Sequence, residues 1–186
     1  MPYEIDIPAL KRLTDSDAMT QIGMNDAAGE GVMVYLKAFL HRLDMDRPNL
    51  LGGERSHFYD KASQGVTKET DTDGSYLTIH QLGFRQRLLG GTIHAQAGKN
   101  LTIPAIAEAY GHAAPEFDLI FNFGIFKATG LKALSEKAAP HRVFYWLKES
   151  VYLAADPTVL PDNEAMAQAA TTAVREYLTK ITDQNL

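Results

Sequence analysis

Histidine is the side chain in this sequence best suited to bind a metal ion or to transfer protons near neutral pH. There are six, namely His41, His57, His80, His94, His112 and His141. None belongs to a zinc signature such as H-E-x-x-H. His80 and His94 lie on two separate predicted strands and could meet across a sheet, although isolated surface or cross-strand histidines are far more common. The sequence therefore predicts no metal site.

Other patterns that support catalysis or cofactor binding are also missing from the sequence. Cysteine is absent, which excludes thiolate nucleophiles and is typical of a protein made in a reducing cytoplasm. There is no G-x-S-x-G nucleophile elbow, P-loop or dinucleotide fingerprint. Ser56 and His57 are chain neighbours, which does not place the hydroxyl against the imidazole, and Asp71 and Asp73 lie in a predicted turn. We therefore predict no catalytic residue, no cofactor and a protein that is not an enzyme.

Arginine and glycine are concentrated at residues 83–93, where they indicate a protein contact. Arg85 and Arg87 are two positions apart, so on an extended segment both side chains would project from the same face. They could bind carboxylates of a neighbouring subunit, or be charges on a solvated strand edge that discourage aggregation. Gly90 and Gly91 within a strand pattern predict a bulge or a close backbone approach. The predicted contact residues are Gly83, Arg85, Arg87, Gly90, Gly91 and Thr92.

Composition limits the classes of protein to which the chain can belong. Its 186 residues are 45% hydrophobic and 22% charged, the ordinary mixture of one globular domain. We expect neither a membrane span, which needs roughly 20 apolar residues, nor a signal peptide. The net charge of −5, from 18 basic and 23 acidic residues, argues against sequence-specific nucleic-acid binding, which needs clustered Lys and Arg. An acidic surface does suit a passage through which DNA slides.

Hydrophobic periodicity predicts a long helix in the N-terminal half and another at the C-terminal end. Over residues 32–43, apolar side chains recur every three or four positions, and Pro48 stops the helix. A shorter helical segment is predicted at residues 56–63. The C-terminal helix follows Asp162, which can cap its free N–H groups, and runs to about Ile181.

Alternation of apolar and polar residues predicts strands between these helices. The predicted strands cover residues 75–81, 88–95, 101–103, 117–123 and 143–153, with a hairpin over 125–134. Residues 143–153 are ambiguous between strand and helix, and their aromatic and β-branched side chains favour a strand. This order of helix, strands and helix predicts an α+β fold with a largely antiparallel sheet. Residues 1–30 show no sustained period and are interpreted as an extended N-terminal arm that can include one short helix and could order only on a partner, while residues 31–186 form a single domain.

Three segments resemble those of a group of phage virion-morphogenesis proteins. They are residues 51–59 (LGGERSHFY), 81–93 (QLGFRQRLLGGTI) and 99–105 (KNLTIPA). The later Glu108-Ala109-Tyr110-Gly111, Tyr145-Trp146-Leu147, Asp156-Pro157 and Leu160-Pro161 fit the same pattern. On these residues the chain resembles the Mu-like virion-morphogenesis, or tail-completion, family over about residues 30–180.

The resemblance implies a small α+β subunit that assembles into a homo-oligomeric ring between the portal and the tail of a bacteriophage or prophage particle. Its partners would be neck, portal or tail proteins, and it would be made in the bacterial host cytoplasm and end in the virion. The resemblance brings no catalytic residues and does not include residues 1–30. A tail terminator, a minor tail protein and a cytoplasmic assembly factor absent from the finished particle are alternatives. An alternative of another class is a phage-encoded accessory hydrolase with a metal site at His80 or His94.

Overall fold

A computed structural model describes residues 21–47, 55–117, 121–126, 131–137 and 142–184. The helices are α1 (Gln21–Asp46), α2 (Phe58–Gln64), α3 (Phe84–Leu89) and α4 (Asn163–Gln184). The strands are β1 (Val66–Thr70), β2 (Ser75–Ile79), β3 (Gly91–His94), β4 (Leu101–Pro104), β5 (Phe121–Phe126), β6 (Leu131–Glu136), β7 (Val143–Lys148) and β8 (Ser150–Leu153). Short 3₁₀ helices cover Ala107–Ala109, Ala114–Phe117 and Pro157–Val159. Every pairing between described strands is antiparallel, so the predicted α+β class with antiparallel sheets is confirmed.

The chain divides into two compact units, each built from separated segments. Unit 1 comprises Met1–Arg42, Tyr59–Gln81 and Leu160–Leu186, and unit 2 comprises Leu43–Phe58 and Leu82–Val159. Unit 1 therefore contains α4, the β1–β2 hairpin and all of α1 except its last turn, whereas unit 2 contains α3 and the other strands. The division of the chain into an N-terminal arm at residues 1–30 and one domain at residues 31–186 stays a prediction.

Helix α1 is longer than the sequence predicts. It begins at Gln21 rather than Val32, so residues 21–30 of the predicted arm are helical. The Asn25-Asp26 pair, which is typical of a turn, lies within this helix. Residues 1–20, the rest of the predicted arm, lie outside the described residues.

In unit 1, polar side chains of α1 bind the β1–β2 hairpin. The Asn25 amide donates hydrogen bonds to the carbonyl oxygens of Asp71 and Thr72 in the hairpin turn, at 3.1 and 3.2 Å. The Lys68 ammonium on β1 lies 2.8 Å from the Asp26 carboxylate and lowers the pKa of that carboxyl. These partners explain why a turn-forming dipeptide occurs in a helix.

Two glycines of α1 lie where other segments approach closely. A Cβ on Gly29 would overlap the Ser75 side chain of β2, and a Cβ on Gly31 would lie 2.5 Å from the Ala173 Cβ on α4. The same added atom would lie 2.7 Å from the Ala169 carbonyl oxygen. Glycine in a helix interior ordinarily destabilises it by roughly 0.5–1 kcal/mol relative to alanine. Here that loss permits close packing of α1 against its neighbours.

The other two predicted helices are confirmed. The α4 helix begins at Asn163, and the Asp162 carboxylate accepts a hydrogen bond from the Ala165 backbone N–H at 2.7 Å. The predicted segment at residues 56–63 corresponds to α2.

Unit 2 contains a four-stranded sheet in the order β4-β7-β6-β5. Ala109, Phe144 and Tyr145 form its buried core, and the Phe117 ring packs 5.5 Å from that of Phe144. The Tyr145 hydroxyl lies 3.2 Å from the Ala109 carbonyl oxygen and 3.0 Å from that of His112. Burial raises the pKa of this hydroxyl, which therefore remains a hydrogen-bond donor within an apolar core.

Most predicted strands of the chain are confirmed. The structure has strands in the segments predicted at residues 75–81, 101–103, 125–134 and 143–153, although residues 127–130 lie outside the described residues. The 143–153 segment is divided, since β7 joins the four-stranded sheet and β8 pairs with β3. The strand predicted at 117–123 overlaps β5 (Phe121–Phe126). Phe117 belongs to a 3₁₀ helix, and residues 118–120 lie outside the described residues.

Candidate assembly surface

The segment predicted as a strand at residues 88–95 is the end of a helix followed by a strand. Helix α3 ends at Leu89, and β3 covers Gly91–His94. Gly83 precedes α3 with a φ angle of 81°, and Gly90 follows it with a φ angle of 69°, values that favour glycine over other residues. The strand prediction is therefore wrong at its start, because the glycines define the ends of a short helix.

The Gly90-Gly91 pair is a junction between α3 and β3 and not a bulge within a strand. Strand β3 pairs with β8 in unbroken register over four residues. The close backbone approach that the sequence predicts is present, since a Cβ on Gly90 would lie 2.5 Å from the Ala155 backbone nitrogen. The Gly90 N–H also donates to the Gln86 carbonyl oxygen at 2.9 Å. The backbone at Gly90 therefore has no room for a side chain.

Arg85 and Arg87 project in different directions, so the prediction that they share a face is wrong. Residues two positions apart are separated by about 200° around a helix, whereas on a strand they lie on one side. The Arg87 guanidinium lies over the Phe58 ring, 4.3 Å from its centroid, and Phe58 stacks on the buried Phe84. Arg85 is exposed and forms no ion pair with any residue that the structure describes. Arg87 therefore packs within unit 2, whereas Arg85 is exposed to solvent.

Large apolar side chains are exposed around α3 and β3. Leu82 is 93% exposed, Leu89 61% and Tyr152 72%. Tyr152 lies directly opposite Thr92 in the β3–β8 pair, so the two exposed side chains share one face of the sheet. Concentrated exposed apolar side chains are typical of a binding surface. The residues Leu82, Arg85, Leu89, Thr92, His94 and Tyr152 are called the α3–β3 patch below.

The predicted contact residues thus have three different positions. Arg85 and Thr92 lie in the patch, Arg87 is packed on an aromatic ring, and the three glycines shape the backbone. Leu82 and Leu89 are patch residues that the sequence analysis missed, although each directly precedes a glycine that ends or begins α3. An apolar residue at the end of a very short helix has few neighbours to bury it, which is the signal that could have revealed them.

Asp156 fixes the loop after β8 to the rest of unit 2. Its carboxylate lies 2.6 Å from the Arg47 guanidinium and accepts a hydrogen bond from the Thr158 backbone N–H at 3.1 Å. Arg47, followed by Thr158, lowers the pKa of Asp156 to about 2. The Asp156 backbone N–H donates to the Arg87 carbonyl oxygen at 2.9 Å. The segments that carry the patch are therefore held together by charged and backbone hydrogen bonds.

His80 and His94 belong to separate sheets, so the structure does not support the possibility that they meet across one sheet. His80 follows β2 and its Nε2 lies 3.0 Å from Thr67 Oγ1 on β1, whereas His94 lies on β3. The β1–β2 and β3–β8 pairs are separate sheets. Throughout the described ranges, which exclude His141, no group of three or more His, Asp or Glu side chains could hold a metal ion.

The His57 imidazole and the Asp44 carboxylate form a hydrogen-bonded pair of a type that can transfer protons. His57 Nδ1 lies 3.0 Å from the buried Asp44 carboxylate, and His57 has a φ angle of 49°, which is unusual outside glycine. A carboxylate that orients an imidazole is half of a proton-transfer arrangement. The Arg55 guanidinium donates to the Asp44 carbonyl oxygen at 3.1 Å. These contacts connect the end of α1 to the residues before α2, which is a structural role.

The comparisons with known proteins return no relative of this chain. No protein-family model, curated protein or solved structure matches it. Among the described residues, no helix combines the length and apolar character needed to cross a membrane. A function must therefore be inferred from the residues and their geometry.

Proposed function

We propose that this protein is a structural component of a tailed-bacteriophage or prophage particle. It acts in head–tail joining or tail completion as a ring-forming neck subunit. The proposal rests on two observations about the same residues. Residues 81–93 resemble a segment of the Mu-like virion-morphogenesis proteins, and the same residues supply most of the exposed α3–β3 patch.

The α3–β3 patch has properties that suit a repeating contact. A ring needs two different surfaces on each subunit, so that one contact repeats from copy to copy. The patch combines exposed apolar side chains with Arg85. Its backbone is held by the Asp156–Arg47 pair and by the close approach at Gly90. A surface ordered before binding loses less conformational entropy on association.

The charge of the chain is compatible with a position around the path of DNA. A net charge of −5 does not favour tight binding to phosphates, which needs clustered basic residues. An acidic lining would let DNA pass without adhering. The partners of such a subunit would be portal, tail and other neck proteins. It would be made in the host cytoplasm and be retained in the virion.

Electron microscopy of lysates from a phage that lacks this gene tests the proposal. Full heads and finished tails lying apart would support joining or completion. Tailless heads with overlong tails would favour a tail terminator. Normal infectious particles would overturn the structural role.

Complementation with variants tests the role of the patch in the same system. The wild-type gene and Arg175→Glu, a charge reversal at an exposed α4 position that is not a patch residue, should restore particles. Arg85→Glu should not. Mass spectrometry of purified particles should find the protein in a fixed copy number, whereas its absence would favour an assembly factor.

Metal binding by the purified protein tests the accessory-hydrolase alternative. The described histidines form no metal cluster, and no observation in the structure favours this class. Tight zinc binding that is lost in His80→Ala or His94→Ala would nevertheless favour an enzyme over the neck subunit.

A further inference from the structure

Two adjoining pockets lie in unit 2 at the end of the four-stranded sheet where β4 and β6 begin and β7 ends. The larger, of about 390 Å³, is lined mainly by residues 95–100, the turn before β4. The smaller, of about 300 Å³, is lined by the adjacent ends of β6, β7 and β8. Asn100, Lys132 and Glu149 line both. The two are therefore parts of one surface, called the β4–β7 pocket below.

The lining of the β4–β7 pocket is positively charged, although the chain as a whole has a net charge of −5. Its basic groups are Lys99, Lys132 and Lys148, and its one acidic group is Glu149. Three basic groups and one acidic group give the lining a net charge of +2. The Lys132 ammonium lies 3.6 Å from the Glu149 carboxylate, whose side chain is 83% exposed, so this ion pair is weak.

No acidic side chain of the surrounding strands offsets this charge. Among the described strands of unit 2, the single acidic residue is Glu136, at the opposite end of β6 from the pocket. Glu136 pairs with the Arg142 guanidinium at 2.8 Å. Lys99 and Lys148 form no ion pair and no side-chain hydrogen bond with any residue that the structure describes. Two ammonium groups of the pocket are therefore available to a ligand.

The uncharged polar groups of the pocket add hydrogen-bond donors. The Asn100 amide and the Ser150 hydroxyl belong to the lining. In the turn, the backbone N–H groups of Ala97 and Gly98 have no acceptor within the described parts of the chain. Gly98 has a φ angle of 75°, and turns of this kind can present successive N–H groups to an anion. The ligand that fits is therefore an anion with several acceptor oxygens.

We propose that the β4–β7 pocket binds phosphate groups, and that their source is a nucleic-acid backbone. A phosphate presents its oxygens in several directions, and lysines on three separate segments can approach them as point charges. A planar carboxylate is better matched by the fork of an arginine, and the described lining contains none. Two adjoining pockets suit successive phosphates of a polymer better than one free ion.

The contact should be weak and independent of base sequence. The described lining has no aromatic side chain on which a base could stack. Three lysines neutralise few phosphates, so affinity should fall steeply with salt. This site does not depend on the proposed assembly role, and purified full-length protein is sufficient to test it.

Fluorescence anisotropy with a labelled DNA duplex at low ionic strength measures the contact. Lys99→Gln and Lys148→Gln together should weaken binding by about 25-fold, since one close charge pair in water supports about fivefold. The double variant should also lose about one unit of salt-dependence slope for each lysine. Lys61→Gln with Lys180→Gln is the matched control, because it removes the same charge at exposed positions outside the pocket. It should bind like the wild type.

Nuclear magnetic resonance locates the site and separates the two sources of phosphate. Both the duplex and inorganic phosphate should shift the amide signals of Ala97, Gly98 and Ser150, whereas chloride at matched ionic strength should not. A second duplex of unrelated sequence should bind equally well. Amide shifts with inorganic phosphate but no binding of either duplex would reject the nucleic-acid backbone as the source.

Three results would overturn the phosphate site itself. One is an equal loss of duplex binding in both double variants, which would mean that only the overall charge matters. Another is equal amide shifts with phosphate and chloride. The third is competition by polyglutamate as effective as that by unlabelled duplex, which would indicate a site for the carboxylates of a protein partner. The presence of the protein in particles is measured separately, so failure here leaves the assembly role intact.

Discussion

The Arg47 guanidinium lies 2.6 Å from the Asp156 carboxylate, an ion pair between residues 109 positions apart in the chain. Arg47 follows the last residue of α1, and Asp156 follows β8. The next residues after β8 approach Gly90 so closely that no side chain would fit there. The pair therefore connects the end of a long helix to the loop that supports the α3–β3 patch.

Replacement of Asp156 by Asn should reduce stability in a pH-dependent manner. The pKa of Asp156 is lowered to about 2 in the folded protein, below the ordinary value of about 3.9. Its contribution is therefore fully present above about pH 4 and lost as the pH falls through 2. Since the side chain is about one-third exposed, we expect the variant to lose no more than about 1 kcal/mol at pH 6 after solvent screening.

Urea unfolding between pH 6 and pH 2 measures this effect. The difference between wild type and Asp156→Asn should disappear toward pH 2. Asp73→Asn, at an exposed position of the β1–β2 turn, should follow the wild type at every pH. A stability difference that stays constant across the range would contradict the assignment to the ionised carboxylate.

Gly90→Ala should strongly destabilise the protein. The added Cβ would lie 2.5 Å from the Ala155 nitrogen, and the φ angle of 69° disfavours alanine. Strain and overpacking together should reduce the free energy of unfolding by about 2–4 kcal/mol. Gly98→Ala separates the two causes, because Gly98 has a φ angle of 75° but nothing within 4 Å of the new atom. It should lose about 1 kcal/mol, and equal losses in chemical denaturation would refute the steric argument.

The two arginines of α3 should differ in what they affect. Arg87→Ala removes the guanidinium from the Phe58 ring at 4.3 Å and should reduce stability by about 1–2 kcal/mol. Arg85→Ala, at an exposed position, should stay within about 0.5 kcal/mol of wild type. Thermal unfolding of the two variants compares them directly. Similar losses would mean that both side chains serve the fold, leaving no arginine for assembly.

Gly31→Ala should destabilise unit 1 even though alanine favours helices. The gain in helix propensity is about 1 kcal/mol, whereas a Cβ 2.5 Å from that of Ala173 should cost about 1–3 kcal/mol through overpacking. Ala173→Gly removes that overlap but itself loses about 1 kcal/mol of helix propensity. In denaturant unfolding, Gly31→Ala should therefore destabilise the Ala173→Gly chain less than it destabilises the wild type. The overlap with the Ala169 carbonyl would remain, so full recovery is not expected. A single variant more stable than wild type would show that the helices adjust freely.

The sequence predicts elements well where a local pattern decides the structure. The Asp162 cap and the helix that follows it depend on neighbouring residues, and so does the alternation within β2. Strand β1 has no predicted counterpart. Burial alternates along it, but its positions include the charged Lys68 and Glu69, so apolar and polar residue types do not alternate in the same way. The alternation of burial there depends on packing, not on residue type.

Positions decided by tertiary contacts could not be predicted in the same way. In the sequence, the glycines of α1 look like interruptions of a helix. The structure explains them, because Ser75 and Ala173 pack where their side chains would be. The spacing of Arg85 and Arg87 places both side chains on one face only if the segment is a strand. The Arg87 guanidinium packs on the ring of Phe58, which lies in another segment of the chain. Several residues of the predicted contact segment are exposed, and their contact role stays a prediction. The orientation of the side chains could not be predicted without the fold.

The order of segments in unit 1 has a consequence for synthesis. Helix α1 ends at Asp46 and its packing partner α4 begins at Asn163, so over a hundred residues are translated between them. At about 5–20 residues per second, the Gly31 face of α1 remains uncovered on the ribosome for roughly 6–25 s. Unit 1 can close only after α4 has been released, so a chain whose synthesis stops before α4 leaves the Gly31 face of α1 uncovered.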